Sequence, residues 1–254
     1  MSGAVLKLPV APVLEAPARW TTDEIEIVVI GAGGNGSEVI DCLASFHVAL
    51  RSLGHPAGLK VTVIDDSVVR ESNVVRQRFW PCDIGQYKAL ALTNRYNLNL
   101  GTEWSGLPFR FPSPETNNCM AAADVVISCV DVNSARRAIG DYEGRIQRDA
   151  LWLDMGNAHR NGQAVLGALS KALRHRYPSV IEEYPEVETG VDSNVKSCSV
   201  AESIASQDCL VNRTVATAAM NPLWELLRTG STKKHWIMVN LETGEQGSYP
   251  FPAV

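Results

Sequence analysis

One junction constrains this chain more than any other feature. A short run rich in β-branched residues, Ile25 to Ile30, enters Gly31-Ala32-Gly33-Gly34-Asn35-Gly36, and the glycines open an amphipathic helix. Such a run reads as a buried first strand. Glycines between strand and helix let backbone N–H groups approach a phosphate, and the helix dipole adds a favourable field. An ordinary tight turn does not need four glycines in six residues. Alone, the pattern would most often signify a dinucleotide. The residues downstream of the loop point elsewhere.

Those residues are Ile64-Asp65, then Ser72-Asn73-Val74-Val75-Arg76-Gln77, then Gly85-Gln86-Tyr87-Lys88. Asp65, at the carboxyl end of a second strand, is positioned to accept hydrogen bonds from ribose hydroxyls. It stands 29 positions after Gly36, where a dinucleotide fold expects about 20. An insertion around Gly54–Gly58 accounts for the excess. Arg76 is suited to hold β- and γ-phosphates bidentately, and Lys88 to act as a point charge on the α- or γ-phosphate. The plain alternative for each is a solvated surface cation. Two cations after a ribose-type acid exceed what NAD requires and suit a triphosphate. Asp131 follows a buried strand at the edge where ligands bind in such sheets. There it suits Mg²⁺, or equally the capping of a helix beginning at Asn133.

Composition sets the outer limits. The 254 residues suffice for one large α/β domain or two small ones, and 45% hydrophobic with 20% charged residues is ordinary for a globular chain. A net charge of −5 argues against direct nucleic-acid binding. No stretch reads as a membrane span, and the leader lacks a signal-peptide layout. The six scattered cysteines contain no C-x-x-C pair, so neither a disulfide framework nor a zinc site is expected. Cys42 and Cys129 read as small core residues, Cys209 as packing on an apolar helix face. The expected setting is cytoplasmic.

The periodicity predicts an N-terminal arm over 1–22 and a domain over 23–254. Helices are expected over 35–53, 86–98, 133–148 and 199–227, with Val39, Ile40, Leu43, Phe46, Leu50 and Leu53 on one face of the first. Asn133 or Ser134 is the expected cap of the third. Further strands are expected over 124–129, 151–154 and 163–169, the last following an Asn161-Gly162 hairpin turn. A long exposed loop is expected over 174–197, and a closing hairpin over 236–251. The sum is an α/β, Rossmann-like, doubly wound and mainly parallel sheet with an antiparallel C-terminal part.

On these motifs the chain resembles the ThiF/MoeB/ubiquitin-activating family. The glycine loop, Asp65, Ser72-Asn73-x-x-Arg76-Gln77, Gly85-Gln86-x-Lys88, and Cys129-Val130-Asp131 with Arg136 carry the likeness, and Gly156 and Gly162-Gln163 continue it. The segment around Ser197-Cys198-Ser199-x-Ala201-Glu202, with Gln207-Asp208 and Leu223 to Leu227, is similar to the ThiF-like proteins of PRTRC gene systems. The resemblance implies ATP and Mg²⁺. It assigns cofactor binding to Gly31, Gly33, Gly34, Gly36, Asp65, Asn73, Arg76, Gln77, Lys88 and Asp131, with Asp131 on the metal. It implies a homodimer that adenylates the C-terminal glycine of a small ubiquitin-like or sulfur-carrier-like protein, with Arg76, Lys88, Asp131 and Cys198 as the catalytic set. Cys198 matches the cysteine that some members load with the activated chain. It is read either as a thiolate aided by Lys196 and a following helix or as a small buried residue.

Two departures are visible. Ser67 stands where many members have a second acid. The arginine those relatives supply across a dimer has Arg19 as its sole counterpart in the leader. These favour an alternative, a catalytically weak or inactive nucleotide-binding partner subunit. An NAD-linked oxidoreductase fits only the glycine loop and Asp65. Adenylation of a small metabolite's carboxylate also stays open.

Overall fold

The computed structural model describes residues 10–142, 149–190, 192 and 207–253. Its strands are β1 (Leu14–Glu15), β2 (Ile25–Ile30), β3 (Leu59–Ile64), β4 (Ser105–Leu107) and β5 (Val125–Ser128). They continue with β6 (Leu151–Asn157), β7 (Asn161–Ala168), β8 (Ser231–Thr232), β9 (Lys234–Asn240) and β10 (Glu245–Pro250). The helices are α1 (Gly34–Ser52), α2 (Glu71–Val74), α3 (Lys88–Leu100), α4 (Asn117–Ala122) and α5 (Asn133–Gly140). After them come α6 (Lys171–Arg174), α7 (Val180–Glu183), α8 (Glu186–Thr189) and α9 (Val211–Thr229).

Eight strands form one sheet in the order β10-β9-β7-β6-β5-β2-β3-β4. The run from β6 to β4 is parallel, and β7, β9 and β10 join antiparallel. This is the expected doubly wound sheet with an antiparallel end. Strand order reverses between β2 and β5, which opens a crevice at their carboxyl ends.

Period-two alternation explains why both faces are covered. Ile25, Ile27 and Val29 of β2 pack with Val39, Ile40 and Leu43 of α1, and with α3 and α9, in one core. Val28 and Ile30 point the other way, to a second core with Met120 of α4, Ile139 of α5, Val180 and Val187. A strand buried on both faces reads as a continuous apolar run, which is what Val125 to Ile127 shows.

Several expectations need correction. In α1, Leu53 lies one residue past the helix and is 68% exposed, so the buried stripe ends at Leu50. The Asn161-Gly162 pair is not the hairpin turn. The turn is 158–160, closed by Ala158 N–H donating to Asn161 O at 2.8 Å, and Gly162 pairs with Asn157 inside the ladder. A Cβ at Gly162 would lie 2.5 Å from Val215 of α9, so this glycine serves close packing rather than turning. The segment read as an exposed loop over 174–197 carries α7 and α8, whose Val180 and Val187 are buried. The described part of the last long helix begins at Val211, after a turn. Cys209 precedes that helix and is exposed, not packed on its apolar face. Of the leader, Leu14 and Glu15 pair antiparallel with β8, and Leu14 and Trp20 are buried.

Candidate functional site

The glycine loop is built by steric necessity. Gly31 has φ +91°, in the region L side chains rarely adopt, and a Cβ there would meet the Cys129 carbonyl oxygen at 2.7 Å. A Cβ at Gly36 would sit 1.9 Å from Gly31 O, so the first turn of α1 closes directly on the loop. Gly33 differs from both, because a Cβ there would meet nothing within 4 Å among the described residues. Its surface is the open part of the loop, beside the first amides of α1, where an anion can approach.

Asp65, just past β3, ties this loop to its own strand. Its Oδ2 accepts from Ala32 N–H at 2.7 Å and its Oδ1 from Ser67 N–H at 2.8 Å. Ser67 therefore offers its backbone here. The chain then runs back along the 85–88 segment: Val69 N–H donates to Gln86 O at 2.8 Å and Lys88 N–H to Ser67 O at 2.9 Å. Gly85, at φ +89°, makes the reversal possible, and the Gln86 amide closes it on Cys82 O at 3.0 Å.

Lys88 is thereby delivered to the crevice as the first residue of α3. It is 9% exposed and forms no ion pair among the described residues. Burial pushes its ammonium below the usual lysine range, Asp65 and Asp131 oppose the shift, and Arg70 and Arg76 reinforce it. A buried cation within electrostatic reach of two carboxylates and two further cations suits a polyanion.

Arg76 sits half-buried, and burial lowers its pKa as well. Its Nη1 donates to Gln207 Oε1 and, at 3.2 Å, to Asn212 Oδ1. The segment is anchored two residues later, where Arg78 binds Glu38 at 2.8 Å and Asp41 at 2.9 Å on α1. Asn73 spends its side-chain oxygen on Arg70 N–H at 2.9 Å, capping α2. Gln77 keeps a buried Oε1 with no hydrogen-bond partner among the described residues.

Asp131 is exposed and makes no hydrogen bond or ion pair among the described residues. The two functions left open for it are separated by α5. That helix is capped from a distance: Asp192 Oδ1 accepts from Asn133 N–H at 2.6 Å and from Ser134 N–H at 3.3 Å. Neither Asn133 nor Ser134 supplies the capping side chain, and Asp131 is not needed for it.

Behind Asp131 lies a pair that motif reading did not find whole. Arg136 Nε donates to Asp154 Oδ1 at 2.9 Å, and its Nη2 to Val130 O at 2.8 Å. Asp154 is 5% exposed and also accepts from Ser128 Oγ, which in turn accepts from Trp152 Nε1 at 2.7 Å. The chain fixes the carbonyl preceding Asp131.

The arginine of the leader is placed elsewhere. Arg19 pairs bidentately with the fully buried carboxylate of Asp124, which also accepts from Glu26 N–H at 2.9 Å. Asp124 and Glu26 lie at the amino ends of β5 and β2, the opposite edge of the sheet from the crevice. Cys198, with Lys196, lies outside the described residues. Cys42 and Cys129 pack against the first core, and burial lifts the Cys42 thiol to about 11 and that of Cys129 far above the usual range.

A family model described as the ThiF family matches residues 12–232. The chain belongs to the ThiF family. No curated protein sequence matches the chain. Among solved structures this ThiF-family chain is similar to selenomethionine-labelled PaaA, at TM-score 0.61 and 13% identity over 89% of this chain. It is also similar to E. coli MccB with succinimide, at TM-score 0.59, 15% identity and 89% coverage. For E. coli MccB with ATP the values are 0.58, 13% and 92%. These likenesses establish the fold. The chain spans 64% of the length of PaaA and of the succinimide-bound MccB, and 65% of the ATP-bound one.

No group of three or more His, Cys, Asp and Glu able to hold a metal occurs among the described residues of the ThiF-family domain. No described helix is long and apolar enough to cross a membrane. Sequence reasoning missed Asn212, Asp154 and Asp192, which are single polar residues without a motif around them. Only Gln207 had a signal, through its place in Gln207-Asp208.

Proposed function

We propose that this ThiF-family protein is an adenylyltransferase that joins a substrate carboxylate to the α-phosphorus of ATP and releases pyrophosphate. The observation that carries the reading is Lys88, a buried ammonium without an ion-pair partner among the described residues, beside Arg76, Asp65 and an open glycine loop. An apolar ligand would leave that charge unsatisfied.

The residues divide the work. Gly33, Gly34 and Gly36 shape the loop against the phosphates, with Gly31 supplying its bend. Asp65 receives the ribose, Asn73, Arg76 and Gln77 line the triphosphate, and Lys88 neutralises charge that grows as pyrophosphate departs. Asp131 is the carboxylate available to hold Mg²⁺, which would arrive with the nucleotide and lower the charge on the phosphates. Positioning and charge neutralisation supply most of the catalysis in phosphoryl chemistry, so no protein nucleophile is needed for this step. The acyl substrate we infer is the C-terminal glycine of a small ubiquitin-like or sulfur-carrier-like protein, activated by a homodimer, with Cys198 as a candidate acceptor in a later transfer. Membership of the PRTRC group is part of this proposal.

ATP–pyrophosphate exchange tests it. Exchange dependent on a carrier ending in glycine, and reduced about 10²-fold or more in Lys88→Met, is the expected result. Absence of ATP binding by the wild-type protein would overturn it.

One observation favours a second reading, a nucleotide-binding subunit with little activity. Arg19 is committed to Asp124, away from the crevice. ATP binding without exchange in the presence of the carrier would support that reading instead.

A further inference from the structure

Asn212, near the start of α9, is 2% exposed and has every polar atom of its side chain engaged. Its Nδ2 donates to Asn35 Oδ1 at 2.9 Å and to Asn157 Oδ1 at 3.1 Å. Its Oδ1 accepts from Arg76 Nη1 at 3.2 Å. A Cβ at Gly34 would lie 2.5 Å from the Asn212 carboxamide. One side chain thus touches the glycine loop at Gly34 and Asn35, the end of β6 at Asn157, and the cation of the β3–α3 crossover. Two donations on one side fix the carboxamide's rotation, so its oxygen can face only Arg76.

We infer that Asn212 is a positioning residue that sets Arg76 against the triphosphate and holds the glycine loop in register with it. This rests on the nucleotide reading of the crevice. An asparagine suits the role because it orients a guanidinium without neutralising it. A carboxylate in its place would form an ion pair with Arg76 and compete with the phosphates for the charge. A β- and γ-phosphate contact matters for ATP and not for AMP. The signature of the role is therefore a change in selectivity between the two nucleotides, which a purely structural defect would not produce.

The test measures ATP and AMP affinities of the full chain for wild type, Asn212→Asp and Asn212→Ser, with Mg²⁺. In Asn212→Asp the Asn35 amide can rotate to donate, and Asn157 can do so by giving up its bond to Ala158 O, so the node is kept at the cost of one exposed hydrogen bond. The expected result is roughly a 10-fold loss of ATP affinity with AMP binding unchanged. Asn212→Ser, too short to reach Arg76, should shift selectivity in the same direction and serves if the aspartate variant does not fold. In an Arg76→Met background, Asn212→Asp should change the ATP-to-AMP ratio no further. Equal losses for ATP and AMP, or an undiminished effect without Arg76, would overturn the inference while leaving the nucleotide site intact. Failure of the wild type to bind either nucleotide would instead overturn the nucleotide reading, and the inference with it.

Discussion

Ala32 N–H donates to Asp65 Oδ2 at 2.7 Å, so the acid at the end of β3 is bonded to the glycine loop at the end of β2. The two ends of the crevice's wall are thus held by one carboxylate. The bond lies at the carboxyl end of β2, next to the β2–β5 gap where strand order reverses and the fold leaves room for a ligand.

The glycines of that loop should separate by variant. Gly36→Ala forces a methyl group onto Gly31 O, so a marked loss of thermal stability is expected. Gly33→Ala meets no atom within 4 Å among the described residues beyond its chain neighbours and should melt as wild type does. Its methyl group instead stands in the space assigned to phosphate, and ATP affinity should fall about 10-fold. Thermal unfolding with and without ATP measures both effects. A destabilised Gly33→Ala would contradict the open geometry assigned to that position.

Lys88 gives a prediction with a sign. Burial holds its pKa below the ordinary lysine value, so the unfolded chain binds that proton more tightly than the folded one. The resulting penalty is fully present at neutral pH and fades as pH rises through the folded pKa towards the ordinary value. Lys88→Met should therefore raise the Tm of the ligand-free protein at pH 7, with the gain shrinking in alkaline buffer. The same variant should lose stabilisation by ATP. A lower Tm for Lys88→Met at pH 7 would show that the ammonium is satisfied within the protein.

Asp154, which is buried, and Arg136, whose side chain is 12% exposed, form an ion pair. Asp154→Ala removes the acceptor and leaves a guanidinium largely shielded from water. A destabilisation of about 3 kcal/mol is expected in urea unfolding. Replacing both residues by apolar ones should cost less than removing the acid alone. A double-variant cost equal to the sum of the two single-variant costs would mean that the pair is not coupled.

Arg19→Met tests the edge opposite the crevice. Asp124 loses its guanidinium partner, and stability should fall by about 3 kcal/mol. Nucleotide affinity and exchange rate, scaled to folded protein, should not change. A selective fall in exchange rate would assign Arg19 to the reaction.

Much of the crevice was legible because its residues obey local rules. A strand entering glycines, an acid at the next strand's end and a positive-φ Gly85 ahead of Lys88 each leave a mark within a few positions. Both faces of β2 were legible from its apolar continuity. The misread turn at Asn161-Gly162 shows the limit. Asn-Gly suits a tight turn, but Gly162 is required by Val215, 53 positions later, pressing on the strand. The Asp192 cap on α5 and the pairing of Arg19 with Asp124 are of the same kind, since each joins residues far apart in the chain.

The doubly wound sheet and the loop at its switch point are written in the chain itself, because hydrophobic period and glycine stereochemistry act between neighbours along it. Tertiary structure alone decided which polar groups stand uncommitted in the crevice. Whether Asp131 caps a helix depends on Asp192, and how Arg76 points depends on Gln207 and Asn212. Hydrogen-bond satisfaction is settled among groups that only folding brings within about 3 Å of one another.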